Sequence, residues 1–247
     1  MSGSRGSVAV AIICKTPAAG RSKTRLSPPL HPSECAEISA CFIRDLAGTI
    51  GGLDPAAAHG YAVYTPQGSE ESLRPLLPEA FGLVLQGPGD LGDRLLRAVS
   101  DLLARGHSGA ILVNSDSPTL PAPILQAAVE ALAGGDRMVI GPALDGGYTL
   151  IGLTAPHARL FQDIPWSTEV VFERTMERAR EIGLPAVVLP AWYDVDDARS
   201  YAILEAELDG TPPDPAAGHP APDAPSTRRF VAARRAVARP ASPEAGR

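Results

Sequence analysis

The sequence predicts an α/β fold, one three-layer α/β/α domain on a mostly parallel mixed sheet. Three observations carry that expectation. Short apolar runs such as 8–14 and 110–114 are continuous rather than alternating, the pattern of strands buried on both faces. They alternate with segments of helical spacing, as parallel strands joined by crossovers require. Charged and glycine-containing stretches follow several of the runs, and open α/β sheets bind their ligands beyond the carboxyl ends of the strands.

Residues 8–14 read as the first strand. Residues 32–46 have helical spacing, with Ser33 as a candidate N-cap. Strands follow at 60–64 and 83–86. Residues 91–105 form a helix that gathers Leu95, Leu96, Val99, Leu102 and Leu103 on one face. The run 110–114 is a strand, and 121–133 is a helix closed by Gly134 and Gly135. Strands at 138–140 and Tyr148–Leu153 flank Asp145-Gly146-Gly147, a hairpin turn of the Asp-Gly type. A helix at 169–181, with Ser167 or Thr168 as N-cap, ends at Gly183. A strand at 186–189 and a helix over Ala198–Leu208 complete the domain, and no repeat of solenoid period is present.

Composition sets the boundaries. Residues 1–7 are expected to be flexible, 8–210 to form the domain, and 211–247, rich in Pro, Ala and Arg, to be a disordered tail. The tail carries +3 and the remainder −9, although 228–239 could form a basic helix on a partner. A net charge of −6 argues against a general nucleic-acid binder. Cys14, Cys35 and Cys41 form no CxxC pair and read as buried small hydrophobes in a reducing compartment. No apolar run reaches the length of a membrane span, and a cytoplasmic location is expected.

Several stretches carry chemistry. Asn114-Ser115-Asp116-Ser117-Pro118 puts an acidic residue at a strand end, where a carboxylate is costly to desolvate unless compensated. A divalent cation carrying a nucleotide's phosphates would compensate Asp116; alternatively Asp116 caps a turn or helix near Pro118. The first strand runs into Lys15-Thr-Pro-Ala-Ala-Gly20-Arg-Ser-Lys23-Thr24-Arg25-Leu26. There Gly20 allows close backbone approach, and Lys23 and Arg25 supply charge for phosphates. Ser22 stands where a Walker A loop needs glycine, which excludes a P-loop. Gly87-Pro-Gly89-Asp-Leu-Gly92 fits a dinucleotide fingerprint and keeps an NAD-dependent enzyme as a rival, but Pro88 removes a backbone donor where pyrophosphate needs one. Gln86, Asp90 and Arg94 around that turn either hydrogen-bond a nucleobase or cap the following helix. Asp145-Gly146-Gly147 gives a tight turn with exposed backbone, and Trp166 either walls a pocket or packs under a loop. In Trp192-Tyr-Asp194-Val-Asp196-Asp197, three carboxylates within four residues call for a cation or solvent, or cap the last helix.

In their order, Lys15…Gly20-x-x-Lys-Thr-Arg-Leu26, Gly89-Asp-Leu-Gly-x-Arg94, Ser115-Asp-Ser-Pro118, Asp145-Gly-Gly-Tyr148, Pro165-Trp-Ser-Thr168 and Asp194-Val-Asp196 resemble the DUF2064 family, the rSAM/selenodomain-associated transferase 1 or CofC-like glycosyltransferase group. The resemblance covers about residues 8–208. It implies a GT-A-like (Rossmann-like) nucleotide-diphospho-sugar transferase fold, shared more distantly with phospholactate and molybdenum-cofactor guanylyltransferases. It further implies that Lys15, Gly20, Lys23 and Arg25 line the nucleotide phosphates and that Gln86, Asp90 and Arg94 face the base. Asp145, Gly146, Gly147, Tyr148 and Trp166 would face the acceptor. Asp116 and Asp196 would bind Mg²⁺ or Mn²⁺, with Asp194 a rival to Asp196, because Asp197-Ala198-Arg199 departs from the family's usual Thr-Pro-Glu-Asp-Leu. Ser115-Asp116-Ser117 also carries one carboxylate where many glycosyltransferases carry Asp-x-Asp.

The expected function is therefore metal-dependent transfer from a nucleotide or nucleotide-sugar donor to a small-molecule acceptor, with Lys23, Arg25 and Asp116 stabilising the leaving group. Glycosyl transfer ranks ahead of nucleotidyl transfer, and a non-catalytic nucleotide-binding protein is the alternative of another class.

Overall fold

The computed structural model of the chain describes residues 6–211, 213 and 223–238. Among them seven strands form one sheet: β1 (Val8–Lys15), β2 (Ala58–Thr65), β3 (Gly82–Leu85), β4 (Gly109–Asn114), β5 (Met138–Pro142), β6 (Tyr148–Leu153) and β7 (Ala186–Val188). Their spatial order is β3-β2-β1-β4-β6-β5-β7, and β6 alone runs antiparallel to its neighbours β4 and β5. The mostly parallel mixed sheet expected from the apolar runs is therefore present. The helices are α1 (Pro32–Gly51), α2 (Glu70–Leu73), α3 (Leu91–Leu103), α4 (Ala122–Leu132), α5 (Val171–Glu181), α6 (Ala198–Leu208) and α7 (Pro225–Ala238).

Strand β1 shows why the runs are continuous. Val8, Val10, Ile12 and Cys14 enter the core shared with α1, α4 and α6, while Ala9 and Ala11 enter the core on the opposite face, with α3. Both faces of a central parallel strand are thus covered, and neither admits a polar residue. Two caps differ from expectation. His31, not Ser33, caps α1, because its ring accepts from the Ser33 amide while Glu34 reaches back to the His31 amide at 2.6 Å. Helix α5 starts after Val170, not after Ser167 or Thr168, because Ser167 turns into the left-handed region at φ 65°.

The largest departure lies in the tail expected to be disordered. Pro225–Ala238 form α7, packed on α1 with Ala224, Phe230 and Val231 buried in the main core. The start of α7 rests on the buried Asp45 of α1, whose carboxylate accepts from the amides of Ser226 at 2.8 Å and Thr227 at 2.7 Å. An anion at a helix N-terminus satisfies two orphan donors and complements the dipole. Described arginines of the stretch that looked like a basic helix for a partner are used within the chain. Arg234 donates to the Pro29 carbonyl at 2.7 Å, and Arg235 pairs with Asp209 at 2.7 Å. The remaining tail positions, and residues 1–5 of the expected flexible N-terminus, lie outside the described residues. Ser7, by contrast, is held, accepting the Ser108 amide at 3.1 Å.

The three cysteines are buried and free, as expected, and burial pushes the Cys14 thiol up to about 12. No described helix is long and apolar enough to cross a membrane. Because Phe230 is a core residue, Phe230→Ala is expected to cost about 3 kcal/mol in urea unfolding, the usual range for truncating a buried aromatic. An unstructured tail would give no change.

Candidate functional site

Parallel pairing sets Ile13 of β1 beside Asn114 of β4, so the loops leaving both strands open on the same edge of the sheet. The loop after β1 is tied by Ser22, which accepts the Ala18 amide at 3.0 Å, and anchored by the buried Leu26. Between them Lys23 adopts a left-handed conformation (φ 49°) and starts a short 3-10 turn, Thr24–Leu26. The segment after β7 is anchored by the buried Trp192 and Tyr193. The Trp192 amide donates to the Pro142 carbonyl at 3.0 Å, and the Val195 amide donates to the Asp116 carbonyl at 2.8 Å. That last bond sets Asp116 and Asp196 side by side.

The two carboxylates converge on one ammonium. Lys23 Nζ lies 2.6 Å from Asp116 Oδ1, 2.9 Å from Asp196 Oδ1 and 2.8 Å from the Val195 carbonyl. Its side chain is 7 % exposed, and Arg25 holds the other oxygen of Asp196 at 2.9 Å from the surface side. Burial pulls the Lys23 ammonium downward, but the charges and hydrogen bonds of Asp116 and Asp196 outweigh it and hold the group above its usual range. Burial pushes Asp196 the opposite way, and Lys23 followed by Arg25 overcomes it to hold that carboxyl below its usual range. Lys23 and Asp196 are thus both charged and neutralise one another in place.

Asp194, the rival to Asp196, is bound instead to the sheet side of the site. Its Oδ1 accepts from Asn114 Nδ2 at 2.8 Å and Ser117 Oγ at 2.5 Å. Burial pushes this carboxyl up to about 7; the Ser117 and Asn114 hydrogen bonds offset the rise, and the charges of Asp116 and Asp196 add to it. Asn114 also accepts the Asp116 amide at 3.2 Å, so the turn residue at this strand end is Asn114 and not Asp116. Asn114 and Ser117 were named within the strand-end stretch but given no role of their own, although an asparagine two positions before Asp116 is itself an Asx-turn signal. Asp197 caps α6, accepting the Ser200 amide at 2.8 Å.

Two cavities meet at Asp116, Asp196 and Arg25, which line both. One, of about 330 Å³, is basic and holds Lys15, Arg21 and Lys23 with Ser22 and Ser115. The other, of about 570 Å³, runs to Asp145, Gly147, Tyr148 and Trp166. Its far wall is fixed by Gly146 (φ 89°), where an added Cβ would come within 1.9 Å of the Glu169 carbonyl oxygen. The Asp145 carboxylate closes that turn on the Gly147 amide at 2.9 Å. The residues expected near a base are brought to neither cavity. Asp90 caps α3 through the Asp93 amide, Arg94 Nε donates to the Gly89 carbonyl, and the Gln86 amide donates to the carbonyls of Cys14 and Val63. Gly92, part of the apparent dinucleotide fingerprint, is accounted for by packing: a Cβ there would meet the Phe161 carbonyl oxygen at 2.5 Å. Gly20 turns the basic loop at φ 69° without lining either cavity.

The chain and its fold are similar to known proteins. Residues 54–168 match the DUF2064 family, described as an uncharacterized protein conserved in bacteria. The resemblance carried by the sequence motifs is thereby found independently over the Gly87–Arg94, Ser115–Pro118 and Asp145–Thr168 stretches, while Lys23 and Asp196 flank the DUF2064 segment. No curated protein matches the chain. Among solved structures, a protein of Desulfovibrio desulfuricans G20 named as a candidate nucleotide-diphospho-sugar transferase is 26% identical, with a TM-score of 0.78 over 93% of this chain and 96% of that one. A cytidylyltransferase of Leptospira borgpetersenii is 11% identical, with a TM-score of 0.54 over 83% and 88%. The fold is that of nucleotide-diphospho-sugar transferases and cytidylyltransferases.

Asp194 predicts a pH dependence. A carboxyl raised in the fold contributes stability that is complete below its unfolded value and is lost as pH rises through about 7. Asp194→Asn keeps the acceptor oxygen and removes the titration. Its unfolding free energy, measured in EDTA, should therefore gain on the wild type steadily from pH 4 to pH 8. A constant difference would contradict the assignment.

Proposed function

We propose that the protein is a metal-dependent transferase using a nucleotide-activated donor, and that it transfers a glycosyl group from a nucleotide sugar to a small-molecule acceptor. The observation that carries this reading is the shared cation position of Asp116 and Asp196 at the junction of a basic and an acidic cavity. Diphosphate oxygens suit the basic cavity, where Lys15, Arg21, Lys23 and Arg25 supply positive charge. The reacting carbon then falls at the junction, and the acceptor comes from the larger cavity.

The donor set fits Mg²⁺ or Mn²⁺. Magnesium is usually held by one or two carboxylates together with substrate phosphates and water. Among the described residues no group of three or more carboxylate, histidine or cysteine side chains gathers as a ready cage, which leaves that shared arrangement as the fitting one. Asp116 and Asp196 would hold the cation, which when bound supplies neutralisation of the leaving diphosphate. Lys23 would exchange the two carboxylates for phosphate oxygens, and Arg25 would stay beside them. The acceptor hydroxyl attacks the anomeric carbon, the bond to the diphosphate oxygen breaks, and the proton passes to solvent.

Nucleotidyl transfer is the second reading, favoured by the number of cations around the basic cavity, which suffices for a triphosphate. The two are separated by product. With Mn²⁺, each nucleoside triphosphate and the common UDP-, GDP- and TDP-sugars, glycosyl transfer releases a nucleoside diphosphate, whereas acceptor-dependent pyrophosphate supports the second reading. Asp116→Asn should lower turnover at least about 100-fold. A non-catalytic binder would show no turnover, and its nucleotide affinity would survive Asp116→Ala.

Because Lys23 already bridges the carboxylates, Mn²⁺ alone should titrate weakly in calorimetry and bind about tenfold tighter with a nucleoside diphosphate present. Lys23→Gln should tighten binding of Mn²⁺ alone, while an unchanged or weaker affinity would count against the exchange.

A further inference from the structure

A chain of buried hydrogen bonds joins the segments that carry the two carboxylates. Trp192 Nε1 donates to Thr119 Oγ1 at 3.2 Å, and Thr119 Oγ1 donates to the Tyr193 hydroxyl at 3.4 Å. That hydroxyl donates to Glu207 Oε2 at 2.5 Å. All four residues are buried, Glu207 at 5 % exposure. Thr119 follows Asp116 by three positions, Tyr193 precedes Asp196 by three, and Glu207 lies in α6. Each donor points the same way, so the Glu207 carboxyl is the acceptor at the end of the chain. Burial raises that carboxyl above its usual range, against the hydrogen bonds of Tyr193 and Thr119 and the charge of Arg228. An apolar side chain would fill an inner position of α6 without that desolvation cost. A satisfied buried polar network supplies direction instead, holding one arrangement of the elements it joins.

We infer that Glu207 is the positioning residue of the Asp116–Asp196 pair, fixing through Tyr193 how the segment after β7 presents Asp196 to Asp116 and Lys23. Backbone bonds and Asp194 hold that segment against the sheet. Glu207 holds it from the helix layer, so Asp196 is clamped between the two layers. Thr119 ties the end of β4 into the same clamp. Small displacements of such outer partners are felt strongly at a cation site, because the facing oxygens must keep their spacing. The inference rests on reading Asp116 and Asp196 as the cation site, and its test separates the two.

The test compares the full chain with three variants. Glu207→Leu removes the terminal acceptor, Glu207→Gln keeps one, and Tyr193→Phe breaks the chain of bonds at its centre. The first readout needs no metal. The chain has two lysines, the exposed Lys15 and the buried Lys23, so isotope-labelled lysine gives a slowly exchanging ammonium NMR signal from Lys23 alone. That signal should be present in the wild type and in Glu207→Gln, and lost from Glu207→Leu and Tyr193→Phe. The second readout is calorimetric affinity for Mn²⁺ in the presence of a nucleoside diphosphate. It should fall about tenfold in the two breaking variants and stay within about twofold in Glu207→Gln. A purely structural role would lower the unfolding midpoint and leave both readouts of the folded protein unchanged. If Glu207→Leu does not fold, Tyr193→Phe carries the test. An unchanged Lys23 signal or Mn²⁺ affinity in a folded breaking variant, loss of either in Glu207→Gln, or no slow signal in the wild type would each overturn the inference. If the Lys23 signal responds as expected while the wild type binds no Mn²⁺ with nucleotide, the transferase reading fails and the positioning role of Glu207 stands.

Discussion

One ammonium group ties the site together. Lys23 comes from the loop after β1, Asp116 from the end of β4 and Asp196 from the segment after β7, and Lys23 and Asp196 are 173 positions apart. Two carboxylates cannot share a partly buried place without a cation, and a buried lysine cannot remain charged without anions. Lys23 therefore keeps its charge through the two carboxylates, and Asp196 keeps its own through Lys23 and Arg25. Their convergence fixes where the three loops meet and where the basic and acidic cavities divide. The left-handed backbone at Lys23 and the Asp116–Val195 backbone bond both serve this meeting point.

Around it, positions that could have been chemical are structural. Gln86, Asp90 and Arg94 spend their donors and acceptors on the backbone of the α3 turn and its neighbouring strands, and Asp197 is a helix cap. Asp194 is different in kind, because its hydrogen bonds to Asn114 and Ser117 join the end of β4 to the segment after β7. It supports the two facing carboxylates from behind rather than joining them.

Much of the architecture was legible because it is local. A continuous apolar run such as Val8–Lys15 can be buried only on both faces, and that alone calls for a covered, largely parallel sheet. Asp116, Lys23 and Arg25 were also legible, since each follows such a run in a loop whose charge has no local use. The division of labour among Asp194, Asp196 and Asp197 was not. It depends on which of three adjacent carboxylates faces Lys23, and that is decided by the burial of Trp192 and Tyr193. Helix α7 was hidden for another reason. Its proline- and arginine-rich composition resembles that of disordered chains, and Phe230 and Val231 are the few large apolar side chains that give it a face to bury.

The contact between Asp45 and α7 also orders events in time. Asp45 is synthesised early, within the helix that covers β1, yet the two amides that satisfy its buried carboxylate belong to Ser226 and Thr227. While the chain is still being made, α1 has an anion on its inner face with nothing to receive it. The parallel core can assemble around β1, β2 and β4 before then, but its covering layer closes only after those late residues emerge. During that interval the nascent domain exposes the apolar surface that Phe230 and Val231 later cover.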